Sequence, residues 1–321
     1  MKHHVLVGAL SGLLFAMPMQ SMADEPIELH TTSGSIKGSL LLPHGTQQVP
    51  VALIIAGSGP TDRNGNNPMA KNDSLKMLAR ALAEGGIASV RYDKRGVGES
   101  AGALTNEADV VFTDIVKDAA GWISKLADDT RFSRVIVIGH SEGSTIGMLA
   151  ARQSSASAYV SIAGPSMKAA AGLRSQLKGR LPPALTAHNE AILVSLERGE
   201  TVTDIPAPLM TLYRPSVQPY LIDWFKIDPA QEIKKLRVPC LILQGDTDIQ
   251  IPVSAAQTLH AANPDALLAI IEGMNHILKS VPNEQAMQIA SYSDPSLPLT
   301  PALSATLLQF IASHNPQAAK R

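Results

Sequence analysis

The sequence predicts an α/β fold with a mostly parallel central sheet. Three observations carry that expectation. Short, wholly apolar runs recur along the chain, each closed by glycine or a polar residue. Stretches of helical periodicity separate most of them. One run, "RVIVIG", passes straight into "HSEGSTIGMLAAR", so a strand meets a helix with a serine at the junction. Runs apolar at every position suit strands covered on both faces, whereas a sheet wetted on one face alternates.

The chain opens with Lys2 and two histidines, an apolar run from Val5 to Met17, and the small-residue stretch Ser21-Met22-Ala23. This order predicts a secretory leader over residues 1–23, cut after Ala23, and delivery to the periplasm if the source is a Gram-negative bacterium. The run is shorter than the ~20 residues that span a bilayer, so no stable membrane insertion is expected after cleavage.

Then "IELHTT" and "GSIKGSLLLP" alternate with the two-residue period of an antiparallel hairpin at a sheet edge. The runs read as doubly covered strands are "VALIIAG" (51–57), "IASVRYD" (87–93), "RVIVIG" (134–139), "AYVSIAG" (158–164), "CLILQG" (240–245) and "ALLAIIEG" (266–273). Between them, "DSLKMLARALAEGG" carries an Asp or Ser cap and stops on Gly85-Gly86. "ADVVFTDIVKDAAGWISKLA" puts Val111, Ile115, Ala119 and Trp122 on one face. The alternation breaks between Pro165 and Pro239, where amphipathic helical stretches carry Tyr213, Tyr220, Trp224 and Phe225. The expected organisation is a core of residues 24–164 and 237–321 with a helical cap, 165–236, over the C-terminal edge of the sheet. The tail "NPQAAKR" is polar and expected to fray.

Composition narrows the function. Hydrophobic residues make up 45% and charged residues 17%, with a formal net charge of −1. No basic field exists to hold nucleic acid or an anionic membrane, and the balance suits a neutral or apolar small molecule. The single cysteine, Cys240, excludes an intrachain disulfide and a cysteine metal site, and reads as a buried strand residue. No cofactor and no metal are implied.

Gly139-His140-Ser141-Glu142-Gly143 is Gly-x-Ser-x-Gly between a strand and a helix. So sharp a turn holds Ser141 in a strained, left-handed-like conformation with its hydroxyl exposed, and glycines on either side avoid collision. Ser141 is therefore the candidate nucleophile. His140 is directed away into neighbouring structure. The Glu142 N–H is a candidate oxyanion donor. Its carboxylate is read as an acid favoured at a helix N-terminus and turned from the chemistry, with capture of a substrate amine as the alternative. The loop after "VALII", with Gly57, Ser58, Gly59 and Pro60, supplies the second donor, Ser58. No Gly-Lys-Ser/Thr follows, which argues against a phosphate loop. Asp62, Arg63 and Asn64 are expected to brace it.

The motifs "AGSGPTDRNGNN", "RYDKRGVGES", "GHSEGS", "GDTDIQIP" and "GMNH", in this order, resemble those of the α/β-hydrolase superfamily over nearly the whole mature length. The likeness is to the bacterial carboxylesterase group placed with serine aminopeptidase-like (S33-type) hydrolases, and "YRPSVQPYLIDWF" also resembles that group. Ala56 stands where many relatives have histidine. Asp93 and Arg95 of the second motif are expected to be structural.

In this fold the acid and then the histidine follow the serine. Of His260, His276 and His314, His260 sits in a helical pattern and His314 in the terminal segment. His276 leaves the last apolar run, and the resemblance selects it as well. Asp246 and Asp248 both qualify by position as its partner. Asp246 adjoins the strand end and reads as a turn cap. The family spacing of Gly245, Asp248, Ile251 and Pro252 favours Asp248.

The expected activity is hydrolysis of a carboxylic ester by Ser141, His276 and Asp248, with Ser58 and Glu142 as oxyanion donors; the resemblance implies short acyl chains. An aminopeptidase or amide hydrolase, with Glu142 or Asp223 holding a free amine, is the first alternative. A non-catalytic small-molecule binder is the second.

Overall fold

Eight strands form one sheet in the order β1-β2-β4-β3-β5-β6-β7-β8. The structure is a computed structural model that describes residues 22–45 and 47–314, so the tail and nearly all of the expected leader lie outside the described residues. β1 (Asp24–Thr31) and β2 (Gly34–Leu41) form the expected hairpin, and β2 runs antiparallel to β4 (Ala88–Tyr92). From β4 onward the pairing is parallel, through β3 (Val49–Ile55), β5 (Phe132–His140), β6 (Ala158–Ile162), β7 (Cys240–Gly245) and β8 (Leu267–Ile271).

The doubly apolar runs are explained by two core layers. Along β3, Val51, Leu53 and Ile55 face one layer while Ala52, Ile54 and Ala56 face the other. The first layer lies under α2 (Phe112–Ala127) and α3 (Glu142–Arg152), where Trp122 and Ile146 are fully buried. The second lies under α1 (Ser74–Glu84) and the last helix, through Leu78, Leu82, Leu303 and Leu307.

Two expectations are corrected. Composition predicts a doubly covered strand at 266–273, yet Leu267 is 52% and Ile270 40% exposed. β8 is the outer strand with a single neighbour, and hydrophobic composition alone does not report position in a sheet. The α1 cap also differs. Asp73 has φ 54° and makes no side-chain bond to the helix; its carboxylate accepts from Asn66 Nδ2 at 2.6 Å, and Asn72 Oδ1 takes the Ser74 N–H at 3.0 Å instead.

The insert between β6 and β7 holds α4 (Ala169–Leu177), α5 (Pro183–Glu197), α6 (Met210–Tyr213), α7 (Gln218–Trp224) and α8 (Pro229–Ile233). It has an apolar cluster of its own, with Ile192, Leu193, Leu196, Tyr213, Leu221 and Phe225. Aromatic contacts tie it to the sheet layer. Phe112 of α2 stacks on Trp224 at 5.6 Å and meets Tyr220 edge-on at 5.6 Å. Asp223 accepts the Thr113 N–H at 2.9 Å, satisfying a donor at the start of α2.

After β7 come α9 (Val253–Ala262), β8, α10 (Gln285–Ser291) and α11 (Pro301–Ser313). Cys240 opens β7 in a buried position, donates its thiol to the Val238 carbonyl at 3.1 Å, and is pushed up to about 12 by burial.

Candidate active site

Parallel strands end on one edge of the sheet, so the loops after β3, β4, β5 and β7 share one rim. At the end of β5 the chain reverses through Ser141, which has φ 56° and ψ −123°. The positive φ was expected; the ψ lies outside the left-handed helical basin. The flanking glycines are required by contact. A Cβ at Gly139 would sit 2.2 Å from the Gly143 carbonyl oxygen, and one at Gly143 would sit 2.3 Å from the Ile55 oxygen. The turn is pinned by Ser141 N–H to the Ile162 carbonyl at 2.9 Å and by Ser144 N–H to the Ser141 carbonyl at 2.9 Å. α3 starts at Glu142, whose N–H has no partner within the helix. A helix end there presents donors to developing negative charge.

His276 lies beyond β8, in the turn that follows Met274. Its Nδ1 meets Asp248 Oδ2 at 2.8 Å, and the two side chains are 6% and 0% exposed. Asp248 is fixed from every side: Oδ1 accepts the Gln250 and Ile251 N–H groups at 2.7 and 2.9 Å, and Oδ2 also accepts Gln244 Nε2 at 3.0 Å. Burial alone would raise its pKa; the charge and hydrogen bond of His276, with those N–H groups, more than offset this and hold it below the ordinary carboxylate value. Asp246 does something else. Its Oδ1 takes the Gly273 N–H at 2.7 Å, tying the β7 loop to the turn after β8. The hydrogen bonds of His276 run to Asp248 and, through its carbonyl, to His140; none reaches the Ser141 hydroxyl.

His140 is directed into neighbouring structure as expected. Its Nε2 bonds the His276 carbonyl at 2.7 Å and its ring lies 4.9 Å from the His276 ring. Burial first, and then His276, lower its pKa to about 4. His260 stays on α9, and His314 ends α11 against the Phe310 ring.

A pocket of about 660 Å³ opens between the rim and the insert. The rim contributes Ser58, Gly59, Lys94, Ser141 and Glu142; the insert contributes Leu173, Leu212, Val217, Tyr220, Leu221 and Trp224. The Glu142 carboxylate is buried and bonded within the protein. It is 3% exposed, pairs with Lys94 Nζ at 3.2 Å, and accepts the Tyr220 hydroxyl. Sequence reasoning missed Lys94 and Tyr220 as its partners. One signal was available: an acid in the first turn of a buried helix needs a cation, and Lys94 stands between Asp93 and Arg95 in a motif already singled out.

The remaining loop charges brace one another. Asp62 Oδ1 accepts the Asn64 and Asn66 N–H groups at 2.8 and 2.9 Å. Arg63 pairs with Asp93 at 2.8 Å, Asn64 accepts from Arg91 at 3.2 Å, and Arg95 forms a two-pronged bond to Asp118 at 2.6 and 2.8 Å. Asp223, the other acid considered for an amine, is occupied at the start of α2.

Comparison with known proteins agrees with this architecture. A sequence profile described as serine aminopeptidase, S33, matches residues 72–280. Esterase EstD of Thermotoga maritima is 26% identical over 284 residues, which cover 85% of this chain and 67% of that protein. Among solved structures, Est1E from Butyrivibrio proteoclasticus superimposes with a TM-score of 0.58 at 16% identity, covering 89% of this chain and 99% of that one. The Pyrococcus furiosus esterase Pf2001 gives a TM-score of 0.57 at 14% identity, covering 91% and 93%. With the profile spanning most of the chain and the eight-stranded fold shared, this protein belongs to the serine aminopeptidase S33 family of α/β-hydrolases.

Proposed function

We propose that this protein is a serine carboxylesterase that cleaves carboxylic esters of short acyl chain through an acyl-enzyme on Ser141. The Ser141 hydroxyl attacks the ester carbonyl and passes its proton to His276, whose other nitrogen is held by Asp248. The oxyanion is received by the N–H groups of Ser58 and Glu142. His276 returns the proton to the leaving alcohol, and water then repeats the sequence on the acyl-enzyme.

One observation carries the reading: a serine in a strained turn at a helix N-terminus lies on the same rim as a buried, bonded His–Asp pair. A second favours an ester over a substrate with a free amine. The charges lining the pocket are already matched, Glu142 with Lys94, Glu107 with Arg214, and Arg95 with Asp118. Among the described residues, no unpaired carboxylate lines the pocket to hold an ammonium, and entry of one would have to displace Lys94. The names of the esterase relatives point the same way. The leader pattern supports export, to the periplasm if the source is a Gram-negative bacterium, and a mature N-terminus at Asp24 would check the cleavage.

The test is hydrolysis of p-nitrophenyl acetate. Ser141→Ala should lose at least about a thousandfold in kcat while keeping its melting temperature, and a phosphonate probe should label Ser141 in the native protein only. Appreciable turnover in that variant sinks the mechanism. A series from acetate to dodecanoate, with an alanyl anilide beside it, reads specificity: kcat/KM should fall with chain length and be lowest for the anilide. Preference for the anilide would return the aminopeptidase reading.

A further inference from the structure

We propose that Lys94 is a positioning residue for both oxyanion donors, working through the Gly57 carbonyl on one side and the Glu142 carboxylate on the other. The inference rests on the esterase reading above. Lys94 leaves the end of β4 and is 6% exposed. Its ammonium donates to the Gly57 carbonyl at 2.5 Å and to Glu142 Oε2 at 3.2 Å.

The first bond acts on Ser58. The Gly57 carbonyl and the Ser58 N–H are opposite ends of one planar peptide. Anchoring the oxygen fixes the direction in which the N–H points. A cation on that oxygen also draws electron density from the nitrogen, which makes the N–H a stronger donor in a site of low dielectric. The second bond acts on Glu142. Its N–H is the other donor, but its own carboxylate lies in the same pocket wall and would repel a developing oxyanion. Lys94 neutralises that charge and turns the carboxylate toward β4. Tyr220 of α7 donates its hydroxyl to the other carboxylate oxygen, so the helical insert joins the same chain of contacts.

Stability does not account for this pair. Burying two charges costs as much as the pair returns, and an apolar filling would serve a core at least as well. Its placement against both candidate donors does account for it.

The experiment compares wild type with Lys94→Met/Glu142→Gln, which removes both charges together and leaves neither buried alone. With p-nitrophenyl acetate, kcat should fall about 10- to 100-fold, less than deleting a donor outright, while KM stays within about threefold. The rate of Ser141 labelling by a neutral aryl phosphonate should fall in parallel, because that reaction also builds charge on oxygen. Tyr220→Phe, which keeps the aromatic packing, should lower kcat by about threefold to tenfold. An unchanged kcat in a folded double variant overturns the proposal, and so does a loss confined to KM. Should the double variant not fold, Tyr220→Phe and Lys94→Arg decide, and wild-type kcat in both overturns it. Failure of the esterase reading looks different: the wild type itself would then turn over no ester.

Discussion

Asp93, after β4, and Asp248, after β7, are built almost alike. Each carboxylate is buried, with 4% and 0% side-chain exposure. Each accepts two backbone N–H groups of its own rim, Arg63 and Glu99 for Asp93, Gln250 and Ile251 for Asp248. Each meets one basic side chain, Arg63 at 2.8 Å or His276 at 2.8 Å, and Asp248 accepts Gln244 Nε2 besides. The difference that matters chemically lies in the basic partner. A guanidinium keeps its charge at every accessible pH, so Asp93 closes a static clasp between two loops. An imidazole has two nitrogens that can each donate or accept, so Asp248 holds a group that can pass a proton on. Burial and hydrogen bonding therefore do not tell the two acids apart; the chemistry of the partner does.

Four substitutions test that distinction, from the largest expected effect to the smallest. Asp248→Asn should cut kcat by about 10⁴-fold through the wrong His276 tautomer, with a modest change in melting temperature. Asp93→Asn should do the reverse. It loosens a buried charge pair but leaves Arg63 its second partner, Glu99, so about 1–3 kcal/mol of unfolding free energy should go while the folded fraction keeps kcat within a few-fold. Urea unfolding and steady-state kinetics on both variants would break the comparison if the losses fell the other way round.

The third substitution separates anchoring of the His276 backbone from orientation of its ring. Below pH 6.5 the unfolded chain protonates His140, while the folded chain refuses the proton until about 4. Stability is therefore complete above 6.5 and drains as the pH falls toward 4, by about 3 kcal/mol for a shift of this size. His140→Gln retains a donor for the His276 carbonyl and should flatten the dependence over that window. A wild-type slope in this variant would place the proton uptake elsewhere. The smallest effect is expected for Asp246→Asn, which weakens one exposed bond to the Gly273 N–H. It should cost under about 1 kcal/mol and leave kcat near wild type; a steep loss of kcat would mean that the roles of Asp246 and Asp248 had been exchanged.

What was legible in the sequence was local. The strand–Ser141–helix junction and the glycines at 139 and 143 follow from backbone geometry over a few residues, and the spacing from Gly245 to Asp248 came from the family resemblance. What was not legible joins residues far apart. Glu142 meets Lys94 across 48 positions and Tyr220 across 78, and no periodicity records such a meeting. The reading of Glu142 was incomplete for that reason: a helix N-terminus accounts for an acid without saying what covers it. The exposure of β8 was missed on similar grounds, since an outer and an inner strand can share one composition and differ only in their neighbours.

Cys240 gives the fold an internal reporter. Its thiol begins the strand that leads to Asp248, lies buried, and is held at about 12 by burial. A thiolate-seeking reagent should then leave the folded protein untouched at neutral pH and modify it only when β7 opens. With one cysteine in the chain, every modification reports on one strand, so at a reagent concentration where labelling outpaces reclosing the rate measures how often the segment carrying the acid loop detaches from the sheet.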